Sequence, residues 1–353
     1  MQNPFTTTFS KVPDNTYIST EQLDEIIGNF TYDNPSESVY KITGVRGSGK
    51  TVLLAKIEDE MRTETFEKKG WLVCSLSPAR DMLQQFAAFL RKADIVKEKK
   101  DNKSVNVSAG IMGTGGGIGV SSSGQDKFFD IGIEIGEILK KASKLGKKIF
   151  IGIDDVSKTQ EMMIFAAEFG KWMIERYPVY MVCTGLYENI EQLYNVSNLT
   201  FFRRATTIMT KPLSYIRMTE MYRRKLGIDS LVAKEMAEMT KGYAYAFQEL
   251  GVLSFKNRYD NPKDAEDELK SELYAYAYEK IWEEMSEGDR ELVCLLIGKD
   301  EYKREEVINR MSKPKNYSVY RDRLIRRGII NARQGYLGLA LPYFSDYIKD
   351  YWI

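Results

Sequence analysis

Residues 42–54 read ITGVRGSGKTVLL: the end of a β-prone run, a glycine-rich loop and the start of a helical run in unbroken succession. Within them GVRGSGKT fills every position of the phosphate-loop pattern GxxxxGK[ST], as Gly44, Val45, Arg46, Gly47, Ser48, Gly49, Lys50 and Thr51. Glycines let the backbone curl so that its amides converge on phosphate oxygens, and the helix that follows turns its positive end to the same point. Lys50 is placed to reach β- and γ-phosphates, and the Thr51 hydroxyl to ligate Mg²⁺. A chance glycine-rich turn would account for the glycines, but not for the full motif between a strand and a helix.

Working outward, the β-prone run at 38–43 leads into the loop, and residues 51–61 have helical periodicity through Val52, Leu53, Leu54 and Ile57. Further strands are expected at 71–76, 147–155, 179–183 and 199–205, with helices at 81–92, 128–145 and 159–177. Near-continuous apolar strands alternating with helices predict an α/β fold, a parallel sheet covered by helices on both faces. Residues 93–127 break the rhythm with the charge run KEKKDNK and a glycine-rich stretch, read as an inserted hairpin at about 104–123. A second nucleotide loop is disfavoured there, because no lysine or helix start follows the glycines. From Ser214 onward helical patterns dominate, including a long helix at 264–286. The expected division is a P-loop core at 1–210, a helical lid at 211–286 and a C-terminal module at 287–353.

The strand KKIFIGIDD, 147–155, delivers Asp154 and Asp155 to a sheet edge, as a Walker B element requires. Asp154 would then hold the Mg²⁺ shell, and Asp155 sits where many ATPases place a glutamate that polarises the attacking water. Its shorter side chain points to slow hydrolysis. The competing reading has the pair capping the next helix, since Asp is a favoured N-cap; the metal role is the favoured one for Asp154. Thr184, at the end of the next strand, either senses phosphate and orients water or serves as a turn residue before Gly185. Arg203 and Arg204 either lend a finger to a neighbouring subunit's phosphate, with Arg204 the candidate carried forward, or form a solvated surface pair.

Composition sets the limits of the chemistry. The 353 residues contain no histidine, which removes Ser-His-Asp and Cys-His catalysis and every histidine metal site. Cys74, Cys183 and Cys294 are scattered without CxxC spacing, as expected of buried thiols in a reducing compartment. No secretory signal or membrane-length apolar run is visible, so a cytoplasmic location without a membrane partner is expected. The net charge of +1 predicts no global attraction to nucleic acid, so any such attraction must be local.

Such a patch stands out near the end of the chain. Helices expected at 289–297, 304–311 and 317–327, followed by a β wing ending in YLGLALP, have the order of a winged helix. Between Lys303 and Arg333 ten basic side chains face three acidic ones, an excess of seven. Arg321, Arg323, Arg326 and Arg327 on the third helix could meet the phosphates of double-stranded DNA. The alternatives are a solvated charge run or a protein-contact module.

With these elements located, the chain resembles AAA+-type P-loop ATPases of the origin-recognition-like and STAND-related group with a C-terminal winged helix. The resemblance rests on ITGVRGSGKTVLL, IFIGIDDV, VYMVCTGLYENIEQL, LTFFRRATTIMTKPLS, KGYAYAFQELG and YLGLALPYFSDYI, in falling order of specificity. It implies ATP as the nucleotide, Gly44, Gly47, Gly49, Lys50 and Thr51 as phosphate and metal ligands, and Asp154 as the Mg²⁺ carboxylate. It also implies a sensor 1 role for Thr184 and a lid turn at Gly242-Tyr243. Two departures, Asp155 for glutamate and no arginine in KGYAYAFQELG, count against fast, coupled hydrolysis. The expected function is an ATP-binding, slow ATPase whose nucleotide state controls a winged-helix contact with DNA. The alternative is a regulatory switch acting through self-association or a protein partner. A small-molecule kinase would need an acceptor pocket, which no sequence feature indicates.

Overall fold

Five strands, β1 (Val39–Thr43), β2 (Trp71–Leu76), β3 (Lys148–Ile153), β4 (Val179–Gly185) and β5 (Thr206–Met209), pair in parallel in the order β2-β3-β4-β1-β5. The computed structural model describes residues 2–8, 12–93, 95, 130–196, 199–258 and 261–353; the hairpin expected at 104–123 lies outside them. Parallel neighbours need a crossover, and the helices between the strands supply it. β1 sits between β4 and β5, while its successor in the chain, β2, lies at the far edge. Such a reversal of order opens a crevice beyond the carboxyl ends of the strands, where ligands bind in open α/β sheets. The loop at 44–51 leaves β1 at that point.

Period-two alternation decides which side chains meet which layer. Ile149, Ile151 and Ile153 of β3 face one core with Phe86, Ile135, Phe165, Phe169 and Trp172. These come from helices Met82–Lys92, Ile131–Lys144 and Gln160–Ile174. Phe150 faces the opposite core with Ile26 and Phe30 of helix Glu21–Thr31 and Leu54 and Ile57 of helix Lys50–Met61. The Phe30 ring makes edge contacts with Tyr40, Trp71, Phe150 and Tyr180. Burying one such side chain stabilises by roughly 1.5–3 kcal/mol. That is how an α/β sandwich holds the loop of residues 44–51 in place.

Two expectations about elements need correction. Residues 199–205 are not a strand: Thr200–Arg204 is a short helix, and β5 begins only at Thr206, pairing with Tyr40 of β1. A short apolar run such as LTFF does not distinguish strand from helix by periodicity. Here Leu199 and Phe202, three apart, both bury into the helical layer. The long helix expected at 264–286 is divided: Pro262–Ala265 is a 3₁₀ turn, Glu266–Leu273 and Glu279–Glu283 are α-helical, and Tyr274–Tyr278 between them is a π turn.

After β5 come helices Tyr215–Leu226, Ser230–Met239 and Ala244–Asn257, then the divided helix. Helices Glu287–Cys294, Arg304–Arg310 and Tyr317–Arg327 follow, with strands β6 (Tyr302–Lys303), β7 (Ile330–Arg333) and β8 (Tyr336–Leu339) in the antiparallel order β6-β8-β7. Helix Phe344–Trp352 ends the chain as given. One apolar cluster runs through all of this, from Tyr222, Phe247 and Leu250 through Tyr278 and Trp282 to Leu292, Leu324 and Phe344. It also takes in Phe5 and Val45. Phe5 packs on Tyr222 and Phe247 and lies so close to Gly251 that a Cβ there would enter its ring. The amino-terminal segment is thereby tied to the helical half.

Candidate nucleotide site

The phosphate-loop residues form a cradle whose glycines are required by what surrounds them. Gly47 has φ +74°, and a Cβ on it would collide with the Tyr243 hydroxyl; at Gly44 a Cβ would collide with Thr210 Oγ1. Gly49, at φ 90°, is the N-cap of helix Lys50–Met61, so the first amides of that helix face the loop. Thr210, one residue past β5, bonds the Ser48 hydroxyl at 2.8 Å and the Thr43 carbonyl through its amide at 2.8 Å. Tyr243 donates its hydroxyl to the Arg46 carbonyl at 2.5 Å, and the Tyr245 amide donates to the Gly47 carbonyl at 3.1 Å. The turn at Gly242-Tyr243 therefore lies directly on the loop.

Lys50 donates to the carbonyls of Gly44 and Val45, each at 3.0 Å. Burial pulls its ammonium down to about 8; Arg46 adds to that, while Asp155, Asp154 and Glu284 oppose it. An ammonium held by two neutral carbonyls, in a pocket that disfavours its charge, gains by meeting an anion. The donors suit a polyphosphate.

The carboxylate side of the site is a connected set of hydrogen bonds. Thr51 donates its hydroxyl to Asp154, with Oδ1 at 3.1 Å and Oδ2 at 3.0 Å. Thr184 donates to Asp154 Oδ1 at 2.5 Å and accepts from the Asp155 amide at 2.9 Å. The register puts Thr184 opposite Ile42 and Gly185 opposite Thr43, so β4 delivers this hydroxyl next to the loop. Asp155 has φ +53°, unusual for a residue with a side chain, and is held there by Thr184, whose carbonyl also takes the Val156 amide at 2.8 Å. Neither aspartate caps the next helix, because Thr159 does so through its bond from the Met162 amide. Among the described residues no group of three or more Cys, Asp or Glu could enclose a metal by itself. Thr51 and Asp154 fit a Mg²⁺ that arrives with phosphate and completes its shell from phosphate and water.

A cavity of about 210 Å³ extends from the loop between the amino-terminal segment and the helical half. Thr6, Thr16, Tyr17, Leu53, Gln248 and the Tyr245–Tyr276 pair are among its lining residues. Those two rings stack with centroids 3.9 Å apart and planes 12° from parallel. Tyr276 belongs to the π turn, a distortion that often marks functional positions in helices. Gln248 accepts from the Thr6 amide at 3.2 Å and from the Thr16 hydroxyl at 3.0 Å, fixing the wall opposite the loop. Sequence reasoning missed this half of the site. The alternation Tyr-Ala-Tyr-Ala-Tyr at 274–278 and the threonine tract at 6–8 were its only signals.

The arginines named from the sequence are elsewhere or already engaged. Arg203 and Arg204 are exposed at the start of β5, at the opposite end of β1 from Gly44, and do not enter this chain's own phosphate cradle. The third helix of the C-terminal module does not present a free row of arginines. Arg327 is 5% exposed and pairs with Glu188 at 2.7 Å and Glu284 at 3.4 Å. Arg323 pairs with the buried Asp289 at 2.7 Å, Arg326 donates to the Tyr187 hydroxyl at 3.0 Å, and Arg321 pairs with Asp322 at 2.8 Å. Of the four arginines expected to meet DNA, Arg323 and Arg327 are met by carboxylates from other elements, and Arg327 is buried. Burial raises the Glu188 carboxyl, while Arg327 draws it down.

Comparison with known proteins agrees with the architecture. A family model described as a domain of unknown function (DUF8462) matches residues 275–348. No curated protein matches the chain in sequence. The Walker-type ATPase PABY2304 of Pyrococcus abyssi superposes with a TM-score of 0.63 at 11% identity, covering 98% of this chain and 99% of that one. The ORC2 protein of Aeropyrum pernix, in its ADPNP–ADP complexes, superposes with a TM-score of 0.52 at 9% identity, covering 94% and 92%. At such identities the likeness concerns the fold, and no helix among the described residues is long and apolar enough to cross a membrane. The fold of this chain, from the parallel sheet to the last helix, is similar to those of the Walker-type ATPase PABY2304 and the ORC2 protein.

Proposed function

We propose that this protein binds ATP with Mg²⁺ at the 44–51 loop, hydrolyses it slowly, and uses the nucleotide state to govern its C-terminal winged-helix module. The observation that carries the reading is the bonded set Thr51–Asp154–Thr184 beside a lysine held by loop carbonyls. Gly44, Val45, Arg46, Gly47, Ser48, Gly49 and Lys50 bind the phosphates through the loop backbone and the Lys50 ammonium, and Thr51 and Asp154 hold the metal. Bound Mg²⁺ would neutralise charge on the β- and γ-phosphates. Thr184 fixes the orientation of Asp154 and the backbone of Asp155, whose exposed carboxylate is the candidate for orienting water. Aspartate reaches less far than glutamate and the lid segment KGYAYAFQELG contains no arginine, so turnover is slow. The base is expected to enter the cavity between the amino-terminal segment and Tyr245.

The division into core 1–210, lid 211–286 and winged helix 287–353 belongs to the same reading. A glycine ends the third helix beside the loop: a Cβ on Gly328 would lie 3.7 Å from the Val45 amide nitrogen. The module thus touches the phosphate loop, which supports control by nucleotide. DNA contact in this arrangement falls to Lys303, Arg304, Lys313 and Lys315, which are exposed, and to Arg321. Arg204 is reserved for the phosphate of a neighbouring copy. The competing reading, a switch acting through a protein partner in the same cytoplasmic setting, is favoured by the engagement of Arg323 and Arg327.

ATP binding and turnover with and without double-stranded DNA, compared between wild type and Lys50→Ala, test the proposal. Slow turnover that DNA raises and that Lys50→Ala abolishes is the expected result. Turnover or ATP binding that survives Lys50→Ala would sink the site, and indifference to DNA would favour the protein-partner reading.

A further inference from the structure

One carboxylate joins the phosphate loop to the C-terminal module. Glu284, at the C-cap of helix Glu279–Glu283, lies 3.7 Å from Arg46 of the loop and 3.4 Å from Arg327 of the third helix. Arg327 is buried and also meets Glu188, which follows the strand bearing Thr184. Two guanidiniums thus flank a single carboxylate at the edge of the phosphate cradle, and Gly328 abuts Val45 beside them. Arg46 also has a donor to spare, since its Nε is buried without an acceptor among the described residues.

We propose that Arg327 is a second phosphate-binding arginine of the nucleotide site, supplied in cis by the C-terminal module, and that Glu284 holds its place when no triphosphate is bound. The inference rests on the reading of residues 44–51 as a nucleoside triphosphate site. A carboxylate carries one negative charge and accepts two guanidiniums at 3.4 Å and 3.7 Å, neither at ideal ion-pair distance. A terminal phosphate carries more charge and three acceptor oxygens, so it competes well for the same two cations. Arg327 also takes the cationic role that the lid segment KGYAYAFQELG cannot fill, having no arginine. Because Arg327 is anchored on the third helix, its exchange of Glu284 for phosphate reports the nucleotide state directly to the module. A diphosphate offers no γ-phosphate and leaves the carboxylate pair intact.

The test is direct binding of ATP and ADP, each with Mg²⁺, to the full chain by titration calorimetry. The variants are Arg327→Lys, Arg327→Met and Glu284→Gln, with Lys50→Ala as the reference and melting curves for each protein. Arg327→Met is expected to weaken ATP by about tenfold to a hundredfold, the range of a charge-assisted hydrogen bond, while ADP changes by less than about twofold. Arg327→Lys should lose part of that preference, because a point charge replaces a planar fork. Glu284→Gln removes the competitor and should tighten ATP more than ADP, and it keeps the test open if Arg327→Met does not fold. An ATP to ADP affinity ratio unchanged in Arg327→Lys and Glu284→Gln overturns the inference, as does an equal loss of both nucleotides. Lys50→Ala binding both nucleotides as wild type does would overturn the nucleotide reading itself and this inference with it.

Discussion

The loop at 44–51 and the helix Tyr317–Arg327 both bring cations to the middle of the molecule, but they hold them in opposite ways. Lys50 rests on the neutral carbonyls of its own loop, and burial disfavours its charge. Arg323 and Arg327 rest on carboxylates, one of them the buried Asp289 that also completes a capping box with Ser286. A cation on neutral partners is ready for an anion. A cation on a carboxylate must first be released from it, and releasing it leaves a charge behind. The loop is therefore organised to take a ligand directly, whereas the helix arginines serve docking first, and Arg327 can meet a phosphate only by giving up Glu284. Counting basic residues in a sequence treats both alike.

The largest expected effect that would break this contrast comes from Gly47→Val. Its side chain would have to enter the space of the Tyr243 hydroxyl at a φ of +74°. Titration with a fluorescent ATP analogue should show affinity lower by more than about a hundredfold, since the cradle cannot keep its shape. Unchanged affinity would show that the loop's conformation is not what holds the nucleotide.

Arg323→Ala sharpens the other half. It leaves Asp289, 1% exposed, with its Ser286 bonds alone among the described residues. Urea unfolding should report a loss of about 1–3 kcal/mol, the cost of a buried charged group deprived of its partner. The salt dependence of any DNA binding should stay as in wild type. Unaltered stability together with weakened, less salt-sensitive DNA binding would place Arg323 on a nucleic-acid surface and undo the comparison.

The smallest effect concerns Lys41, a buried cation in the middle of β1. It donates to the Phe202 carbonyl at 2.7 Å and the Tyr194 hydroxyl at 3.1 Å and stands over the Tyr194 ring. Burial lowers it to about 8, below its ordinary value of 10.5. Between those two values the unfolded chain binds a proton that the folded chain does not, so stability rises with pH from about 8 upward. Below 8 both states are protonated and the slope vanishes. Lys41→Met should flatten the rise between pH 8 and 9, measured as the difference in unfolding free energy from wild type. Cys74 and Cys183, raised to about 12, pull the other way above 9, and Lys41 itself lowers Cys183, so the comparison is made below pH 9. An identical slope in the variant would mean that Lys41 stays charged, as Lys50 must when it meets phosphate.

Local pattern was enough for four of the five strands, because apolar strands buried on both faces and helices with one apolar side depend only on neighbours in the chain. It misplaced the fifth, where Thr200–Arg204 is helical and β5 begins at Thr206. The loop GVRGSGKT was legible for the same reason: its glycines, lysine and threonine act through a backbone conformation that eight consecutive residues set. The carboxylates were partly legible, since the end of an apolar strand names Asp154 without naming what bonds it. What lay beyond reach was set by residues far apart in the chain. Thr16 and Gln248 meet across 232 positions, Tyr243 and Arg46 across 197, and the stacked Tyr245 and Tyr276 join the divided helix to the cavity. The fate of the basic helix was of this kind. Ten basic residues in a short span are a property of the sequence, but whether an arginine meets solvent or a carboxylate depends on which distant element packs against it. Only the tertiary fold brings Glu188 and Glu284 to Arg327, and with them the link from the phosphate loop to the last module of the chain.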